Sequence, residues 1–187
     1  MRVVGGTLRG RPIAGPQHEG LRPTSDRVRE SLFNILAHGV DDFSLDGARV
    51  IDLFAGTGAL GLEAISRGGA FCLFVDNEPE ARGLIRNNVE AFGLTGVTRI
   101  FRRDAADLGP AGTVAPFQLA FLDPPYGQGL GEKAMAALHE GGWLTAAAIV
   151  VLEERAGTDI ALPATYLELD RRTYGDTQIV IARYGGA

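Results

Sequence analysis

Short apolar segments that alternate with helical patterns place the strongest limit on the fold of this chain. Each segment is continuous in apolar residues instead of alternating with polar ones, and together they cover 49–53, 71–75, 97–101, 117–122 and 147–152. Strands with this composition are buried on both faces, because helices cover both sides of a parallel sheet. The pattern therefore predicts an α/β fold built on a mainly parallel sheet.

Helical patterns separate these strands, and glycines mark several of their ends. We expect helices over about 25–38, 59–66, 78–92 and 131–140. The last two segments, 166–172 and 178–184, are joined by Tyr174-Gly175-Asp176 and predict an antiparallel pair of strands. The first residues are rich in Gly, Arg and Pro, so we expect an N-terminal arm or hairpin over 1–24 and the main domain over 25–187.

Length and composition indicate one ordinary globular domain. The chain has 187 residues, of which 45% are hydrophobic and 22% charged, and a domain typically has about 100–200 residues. Cys72 is the single cysteine, which excludes an internal disulfide and a cysteine-rich metal site. No apolar run approaches the roughly 20 residues of a membrane helix. We therefore expect a cytoplasmic monomer with no metal and no membrane attachment.

Charge is distributed unevenly along the chain. The net charge is −5, but residues 1–30 carry six arginines and three acids, a balance of +3 that leaves −8 for the rest. The net charge thus argues against a protein that coats nucleic acid. The arginine cluster near the N-terminus points the other way, because arginine binds phosphate groups through paired hydrogen bonds. The candidate nucleic-acid contacts are Arg9, Arg11, Arg22, Arg27 and Arg29. Arg29 could instead pair with Asp26, one helical turn away.

A glycine-rich turn follows the first strand. Gly56, Gly58 and Gly61 match GxGxxG, and Asp76 follows Gly56 by 20 residues, which satisfies the spacing of a dinucleotide site. Asp52 at the end of the strand disfavours that ligand, because a carboxylate there would repel a pyrophosphate. The same carboxylate suits S-adenosylmethionine, which lacks phosphate and carries an ammonium and a sulfonium group.

Acidic residues stand at the ends of four successive strands. They are Asp52, Asp76, Asp104 and Asp123. Parallel sheets bind ligands beyond the carboxyl ends of their strands, so these acids predict the position of the site. Asp76 suits ribose hydroxyls in either class of ligand, and Asp104 suits the amino group of adenine.

The fourth strand ends in Asp123-Pro124-Pro125-Tyr126, a tetrad that we predict to be catalytic. Two prolines stop the strand and make the loop rigid, as an in-line displacement requires. The exocyclic amine of a nucleobase is a poor nucleophile, because its lone pair is delocalised into the ring. The Asp123 carboxylate and a proline carbonyl could hold both amine hydrogens and stabilise the positive charge that develops. Tyr126 offers a flat ring for an unstacked base.

Several motifs resemble those of known methyltransferases. The tetrad is similar to the [DNS]PP[YFW] motif of enzymes that methylate exocyclic amines of adenine, cytosine or guanine. The stretches 2–6, 10–11, 21–36, 52–63 and 174–177 resemble the bacterial RsmD family, whose members methylate N2 of one guanine in small-subunit (16S) ribosomal RNA. The resemblance covers the chain nearly end to end, and the stretch 21–36 is its most specific part.

This resemblance implies a Rossmann-like class I methyltransferase sheet that depends on S-adenosylmethionine. It has seven strands, the last antiparallel, after a short N-terminal β-hairpin arm. The implied partner is ribosomal RNA or a small-subunit assembly particle, and the arm is the implied RNA contact. The implied cofactor-binding residues are Asp52, Phe54, Ala55, Gly56, Gly58, Asp76, Asn77, Asp104 and Asp123.

Three alternative functions remain open at this point. A methyltransferase acting on exocyclic amines of DNA or of another RNA shares the tetrad, although 187 residues leave no room for the target-recognition domain that a DNA enzyme needs. An NAD-dependent oxidoreductase is supported by GxGxxG and Asp76. A non-catalytic RNA-binding protein could retain the same fold. Binding of NAD without binding of S-adenosylhomocysteine would favour the oxidoreductase.

Overall fold

The computed structural model describes residues 1–17 and 24–186. Within these ranges the chain forms a seven-stranded sheet with helices on both faces, as predicted. In chain order the elements are α1 (Asp26–His38), β1 (Arg49–Leu53), α2 (Ala59–Ser66), β2 (Phe71–Val75), α3 (Pro79–Ala91), β3 (Thr98–Phe101), β4 (Phe117–Leu122), α4 (Leu130–Glu140), β5 (Leu144–Arg155), β6 (Tyr166–Tyr174) and β7 (Thr177–Tyr184).

The order of the strands places a crevice at the centre of the sheet. The order is β3-β2-β1-β4-β5-β7-β6, in which β7 is antiparallel to both of its neighbours and the other pairs are parallel. The chain proceeds from β1 towards β3 on one side and then crosses to β4 on the other. Loops that leave adjacent strands in opposite directions open a ligand crevice beyond the strand ends, here between β1 and β4.

Both faces of the sheet are covered, which explains why its central strands are continuous in apolar residues. On one face α1, α2 and α3 pack against the sheet, and the rings of Phe33 in α1 and Phe121 in β4 lie 5.6 Å apart. On the other face α4 packs beside the buried Trp143, whose Nε1 donates a hydrogen bond to the Gly109 carbonyl at 2.8 Å. Neighbouring residues of one strand, such as Val50 and Ile51, therefore enter different apolar layers.

The N-terminal residues form an antiparallel bridge that packs on the domain. Arg2 pairs with Pro12, and the amide of Val3 donates to the Arg11 carbonyl at 3.0 Å. Val3 and Ile13 are buried in the same apolar layer as α1. Residues 18–23 of the arm predicted over 1–24 lie outside the described ranges, so the domain boundary at 24 stays a prediction.

Strand β5 is longer than the sequence pattern predicted. The expected strand covered 147–152, whereas β5 runs over Leu144–Arg155 and includes Glu153 and Glu154, both buried. Side chains or amides from other segments donate hydrogen bonds to both carboxylates, and this satisfies them inside the sheet.

Candidate active site

The four predicted aspartates follow the order of the strands along one edge of the sheet. Asp104 comes after β3, Asp76 directly after β2, Asp52 near the end of β1 and Asp123 directly after β4. The structure therefore brings these residues to the carboxyl ends of four adjacent parallel strands. This is the edge at which an α/β sheet binds its ligand.

The glycine loop between β1 and α2 is held against β2. The amide of Gly56 donates to Asp76 Oδ2 at 3.0 Å, and the amide of Ala55 donates to the Val75 carbonyl at 3.2 Å. Phe54 has a φ of 55°, a left-handed conformation that non-glycine residues rarely adopt. Strained backbone of this kind is concentrated at binding sites, where the surrounding contacts enforce it.

The three glycines of GxGxxG have different roles. A Cβ at Gly61 would lie 2.5 Å from Phe74 Cε1 and 2.6 Å from Cys72 Sγ, so this glycine allows α2 to pack closely on β2. Gly58 has a φ of 81° and caps α2. A Cβ at Gly56 would meet only the Phe54 carbonyl oxygen, at 4.0 Å. The space beside Gly56 is thus open to a ligand that approaches the backbone closely.

Asp52 is a buried carboxyl group that suits a cationic ligand. It is 1% exposed, and its Oδ2 accepts a hydrogen bond from the Gly61 amide at 3.0 Å. Burial raises the pKa of Asp52 to about 8, although the Gly61 hydrogen bond opposes this shift and the charge of Asp76 adds to it. A positive ligand would favour the ionised carboxylate, whereas a pyrophosphate would increase the free-energy cost of ionising this buried group. The ammonium and sulfonium groups of S-adenosylmethionine fit this requirement.

The remaining candidate cofactor residues stand at the ends of β2 and β3. Asp76 accepts the Gly56 amide on one oxygen and the Glu78 amide on the other, at 2.9 Å. Each carboxylate oxygen has a second lone pair, so Asp76 can still accept a ribose hydroxyl. Asn77 and Asp104 are exposed, and Asp104 Oδ1 accepts the Ala106 amide at 2.9 Å.

The tetrad after β4 lies beside the glycine loop. The Asp123 amide approaches the Leu53 carbonyl at 3.5 Å. Burial of its carboxyl group, followed by the negative charges of Glu153, Asp52 and Glu154, raises the pKa of Asp123 well above its ordinary value. Pro124 is buried, Pro125 is exposed and Tyr126 is half-buried. A rigid carboxyl group thus adjoins the proposed cofactor loop in a strongly acidic cleft.

Two further acids hold the tetrad, and the sequence patterns did not identify them. Tyr126 Oη donates to Glu153 Oε1 at 3.0 Å, and the Gly127 amide donates to Glu154 Oε1 at 3.0 Å. Burial raises the pKa of Glu153, and the hydrogen bonds from Thr24 and Tyr126 oppose this shift. One sequence signal could have identified these two acids: they directly follow the apolar run 147–152, as two of the other acids follow theirs.

Three of the candidate RNA-binding arginines lie on the surface. Arg9, Arg11 and Arg27 are exposed. The Arg11 guanidinium donates to the Ala91 carbonyl at 2.7 Å and lies 5.0 Å from the centre of the Phe92 ring, so it is partly engaged by the protein. Arg22 falls in residues 18–23, outside the described ranges.

Arg29 differs from the other candidates, and the structure corrects its expected role. Its side chain is fully buried and forms ion pairs with Glu63 at 3.2 Å and with Asp26 at 2.9 Å. A buried guanidinium with two carboxylate partners cannot reach an RNA phosphate. The alternative pairing of Arg29 with Asp26 is therefore the one that the fold adopts.

The described part of the chain holds neither a metal-binding cluster nor a candidate membrane helix. Residues 1–17 and 24–186 contain no group of three or more His, Cys, Asp or Glu side chains placed to hold a metal ion. Over the same stretches, no helix combines the length and the apolar character needed to cross a membrane.

Comparisons with known proteins assign the chain to a family. A family model described as conserved hypothetical protein 95 matches residues 1–183. Ribosomal RNA small subunit methyltransferase D of Escherichia coli (strain K12) is 36% identical over 168 residues, which cover 89% of this chain and 81% of the relative. The solved structure of the Escherichia coli protein yhhF has a TM-score of 0.83 at 31% identity and covers 100% of this chain and 99% of its own.

A more distant structure shows the same fold. The RNA methyltransferase from Salinibacter ruber, solved in complex with S-adenosyl-L-homocysteine, has a TM-score of 0.63 at 15% identity, over 89% of this chain and 95% of its own. The family model and the relative from Escherichia coli confirm the resemblance found in the motifs. The chain belongs to the conserved hypothetical protein 95 family, which is the RsmD family of methyltransferases.

Proposed function

We propose that the protein transfers a methyl group from S-adenosylmethionine to the exocyclic N2 of a guanine in small-subunit (16S) ribosomal RNA. The observation that carries this proposal is the juxtaposition of the glycine loop and the Asp123 tetrad at the adjacent ends of β1 and β4. Family membership supports it, because the matching relative in Escherichia coli is named a ribosomal RNA small subunit methyltransferase.

The residues of this chain divide into two groups of roles. S-adenosylmethionine, when bound, supplies a methyl group activated by a sulfonium. Asp52, Gly56, Gly58, Asp76 and Asp104 would hold that cofactor, with Phe54, Ala55 and Asn77 in the adjoining loops. Asp123 and a carbonyl of Pro124 or Pro125 would accept the two hydrogens of the guanine amine. This directs the amine and stabilises the charge that forms on nitrogen.

Loss of the amine proton needs little help from the protein. Once alkylated, the exocyclic nitrogen is positively charged and strongly acidic, so a nearby carboxylate suffices as the acceptor. Asp123 can take this role because it adjoins the amine in this arrangement, and its raised pKa makes the ionised form a stronger base than a free carboxylate. The acidic cleft also favours a cationic cofactor over the neutral sulfide that remains after transfer.

The substrate is a ribosomal RNA or a small-subunit assembly particle in this proposal, and the enzyme acts as a cytoplasmic monomer. The exposed Arg9 and Arg27 lie on the arm and on α1, where they can pair with phosphates. An amine of DNA or of another RNA is the second candidate substrate, since the tetrad alone does not distinguish among them.

The proposal is tested by methyl transfer to defined nucleic acids. Purified protein is incubated with labelled S-adenosylmethionine and either unmodified small-subunit RNA, assembly particles or DNA, and the product nucleosides are identified by mass spectrometry. N2-methylguanosine in ribosomal RNA is expected. Label confined to DNA adenine, or binding of NAD without binding of S-adenosylhomocysteine, would overturn the assignment.

A matched pair of variants separates binding from chemistry. Asp123→Ala should retain RNA binding but lose methyl transfer. Asp159→Ala, at an exposed position outside the site, should behave as the wild type. Full activity of Asp123→Ala would remove the tetrad from the mechanism.

A further inference from the structure

Glu153 is a buried acid near the carboxyl end of β5 and has no assigned role in the transfer step. The residue is 6% exposed. Strands β4 and β5 are parallel, with Leu122 opposite Leu152, so Glu153 lies within β5 at the level where Asp123 directly follows the neighbouring strand. A buried carboxyl group at this position is costly unless it is hydrogen-bonded, and each of its oxygens has a partner.

One oxygen of Glu153 holds the tyrosine of the tetrad. Tyr126 Oη donates to Glu153 Oε1 at 3.0 Å and lies 3.1 Å from Thr177 Oγ1. Because the tyrosine hydrogen points to the carboxyl group, the Thr177 hydroxyl donates to Tyr126. The phenol group therefore has both an acceptor and a donor, and its ring is held at the outer end as well as at Cα.

The other oxygen of Glu153 holds the segment that leads into α1. Thr24 Oγ1 donates to Glu153 Oε2 at 2.5 Å. Thr24 directly precedes Ser25, whose side chain caps α1 by accepting the Val28 amide at 3.2 Å. Glu153 thus links the start of the first helix with the loop that we assign to the target base.

We propose that Glu153 is a positioning residue for the target guanine: its carboxyl group holds the outer end of the Tyr126 ring in place and ties that ring to Thr24. This inference rests on the proposed function. A base lying on Tyr126 takes its orientation from the ring, and the orientation decides whether the amine meets Asp123. The effect of Glu153 therefore falls on the rate of transfer and leaves cofactor binding unchanged, since within the described residues its carboxyl group accepts hydrogen bonds from Thr24 and Tyr126, which lie outside the glycine loop.

Two substitutions disturb the hydrogen bonding between Glu153 and Tyr126 from opposite ends. Tyr126→Phe keeps the ring and deletes the hydroxyl. Glu153→Gln keeps the shape but turns one of the two acceptor oxygens into an amide donor, so it cannot accept from both Tyr126 and Thr24. Misplacement of a reacting group by about 1 Å can cost on the order of 100-fold in rate, so each variant should lower the single-turnover rate about 10- to 100-fold.

The double variant distinguishes positioning through Tyr126 from a separate structural role. If Glu153 acts through the tyrosine, Glu153→Gln should cost less than about threefold in the Tyr126→Phe background, because interacting residues are not additive. Independent roles would multiply the two losses. The affinity for S-adenosylhomocysteine should stay within about twofold of the wild type in all variants, as expected for losses confined to the transition state.

The experiment measures single-turnover methyl transfer to unmodified small-subunit RNA, calorimetric binding of S-adenosylhomocysteine and thermal unfolding. Glu140→Gln, at an exposed position on α4, is the matched control. A wild type without transfer overturns the proposed function itself. If the wild type is active, this inference alone is overturned when Glu153→Gln matches the control or when the two losses multiply in the double variant. If Glu153→Gln fails to fold, Tyr126→Phe decides: a wild-type rate refutes the inference, and a slow rate with intact cofactor binding supports it.

Discussion

Replacing Glu63 with alanine is expected to loosen the N-terminal arm and to destabilise the whole domain. Glu63 is fully buried in α2 and accepts hydrogen bonds from the amides of Val4 and Gly5 at 2.9 and 2.8 Å. It also accepts from Nε of Arg29 at 3.2 Å and from Nε of Arg67 at 2.9 Å. One carboxylate therefore joins the arm, α1 and the end of α2.

The magnitude follows from the charge that the substitution leaves behind. Glu63→Ala would leave the Arg29 guanidinium buried with Asp26 as its remaining carboxylate partner. Removing one member of a buried ion pair costs about 3–5 kcal/mol, mainly because the remaining buried charge loses a compensating partner. For a domain of this size each kcal/mol lowers Tm by about 2–4 °C. The variant should therefore lose about 6–20 °C in Tm.

Thermal unfolding and hydrogen exchange measure these effects separately. The amides of Val4 and Gly5 should exchange faster in Glu63→Ala, because they lose their acceptor. Glu90→Ala, an exposed position in α3, is the matched control and should stay within about 0.5 kcal/mol of the wild type. A Tm drop of Glu63→Ala below about 2 °C, or unchanged exchange at the two amides, would refute the reasoning.

Three other predictions concern ligands. Asp52 is protonated below its pKa of about 8, and the positive groups of S-adenosylmethionine favour the ionised form, so S-adenosylmethionine should bind more tightly as pH rises towards 8; calorimetry should show that Asp52→Asn removes this dependence. Asn88 donates to the Thr57 carbonyl of the glycine loop at 3.0 Å, so Asn88→Ala should weaken cofactor binding by about 1 kcal/mol. An unchanged Kd for the cofactor would contradict this. Replacing Arg9 and Arg11 together should weaken RNA binding and reduce its salt dependence; unchanged affinity across a salt series would exclude the arm.

Strand positions could be predicted from sequence where burial is complete. Strands β1, β2 and β4 have the predicted bounds, since both of their faces are covered and their residues are nearly all apolar. The prediction for β5 ended at residue 152, because the acidic residues Glu153 and Glu154 indicate a loop when only the local sequence is considered. Glu153 accepts from Thr24 and Tyr126, and Glu154 accepts from the Gly127 amide. These partners come from distant segments, and no local pattern contains that information.

The sequence by itself determined the fold class, the glycine loop, the acidic strand ends and the tetrad. Each depends on residues that are close along the chain, such as glycines at a fixed spacing or an acid that directly follows an apolar run. The family resemblance rests on the same local motifs and was confirmed by the comparisons.

Only the tertiary structure decided how the buried charges are used. Arg29 lies on a helix whose pattern left it available for RNA, yet it pairs with Glu63, 34 residues away. Glu153 meets Thr24 across 129 residues. Burial makes an unpaired charge costly, so the role of a charged residue depends on which partner the fold brings to it, and that partner is set by packing over the whole chain.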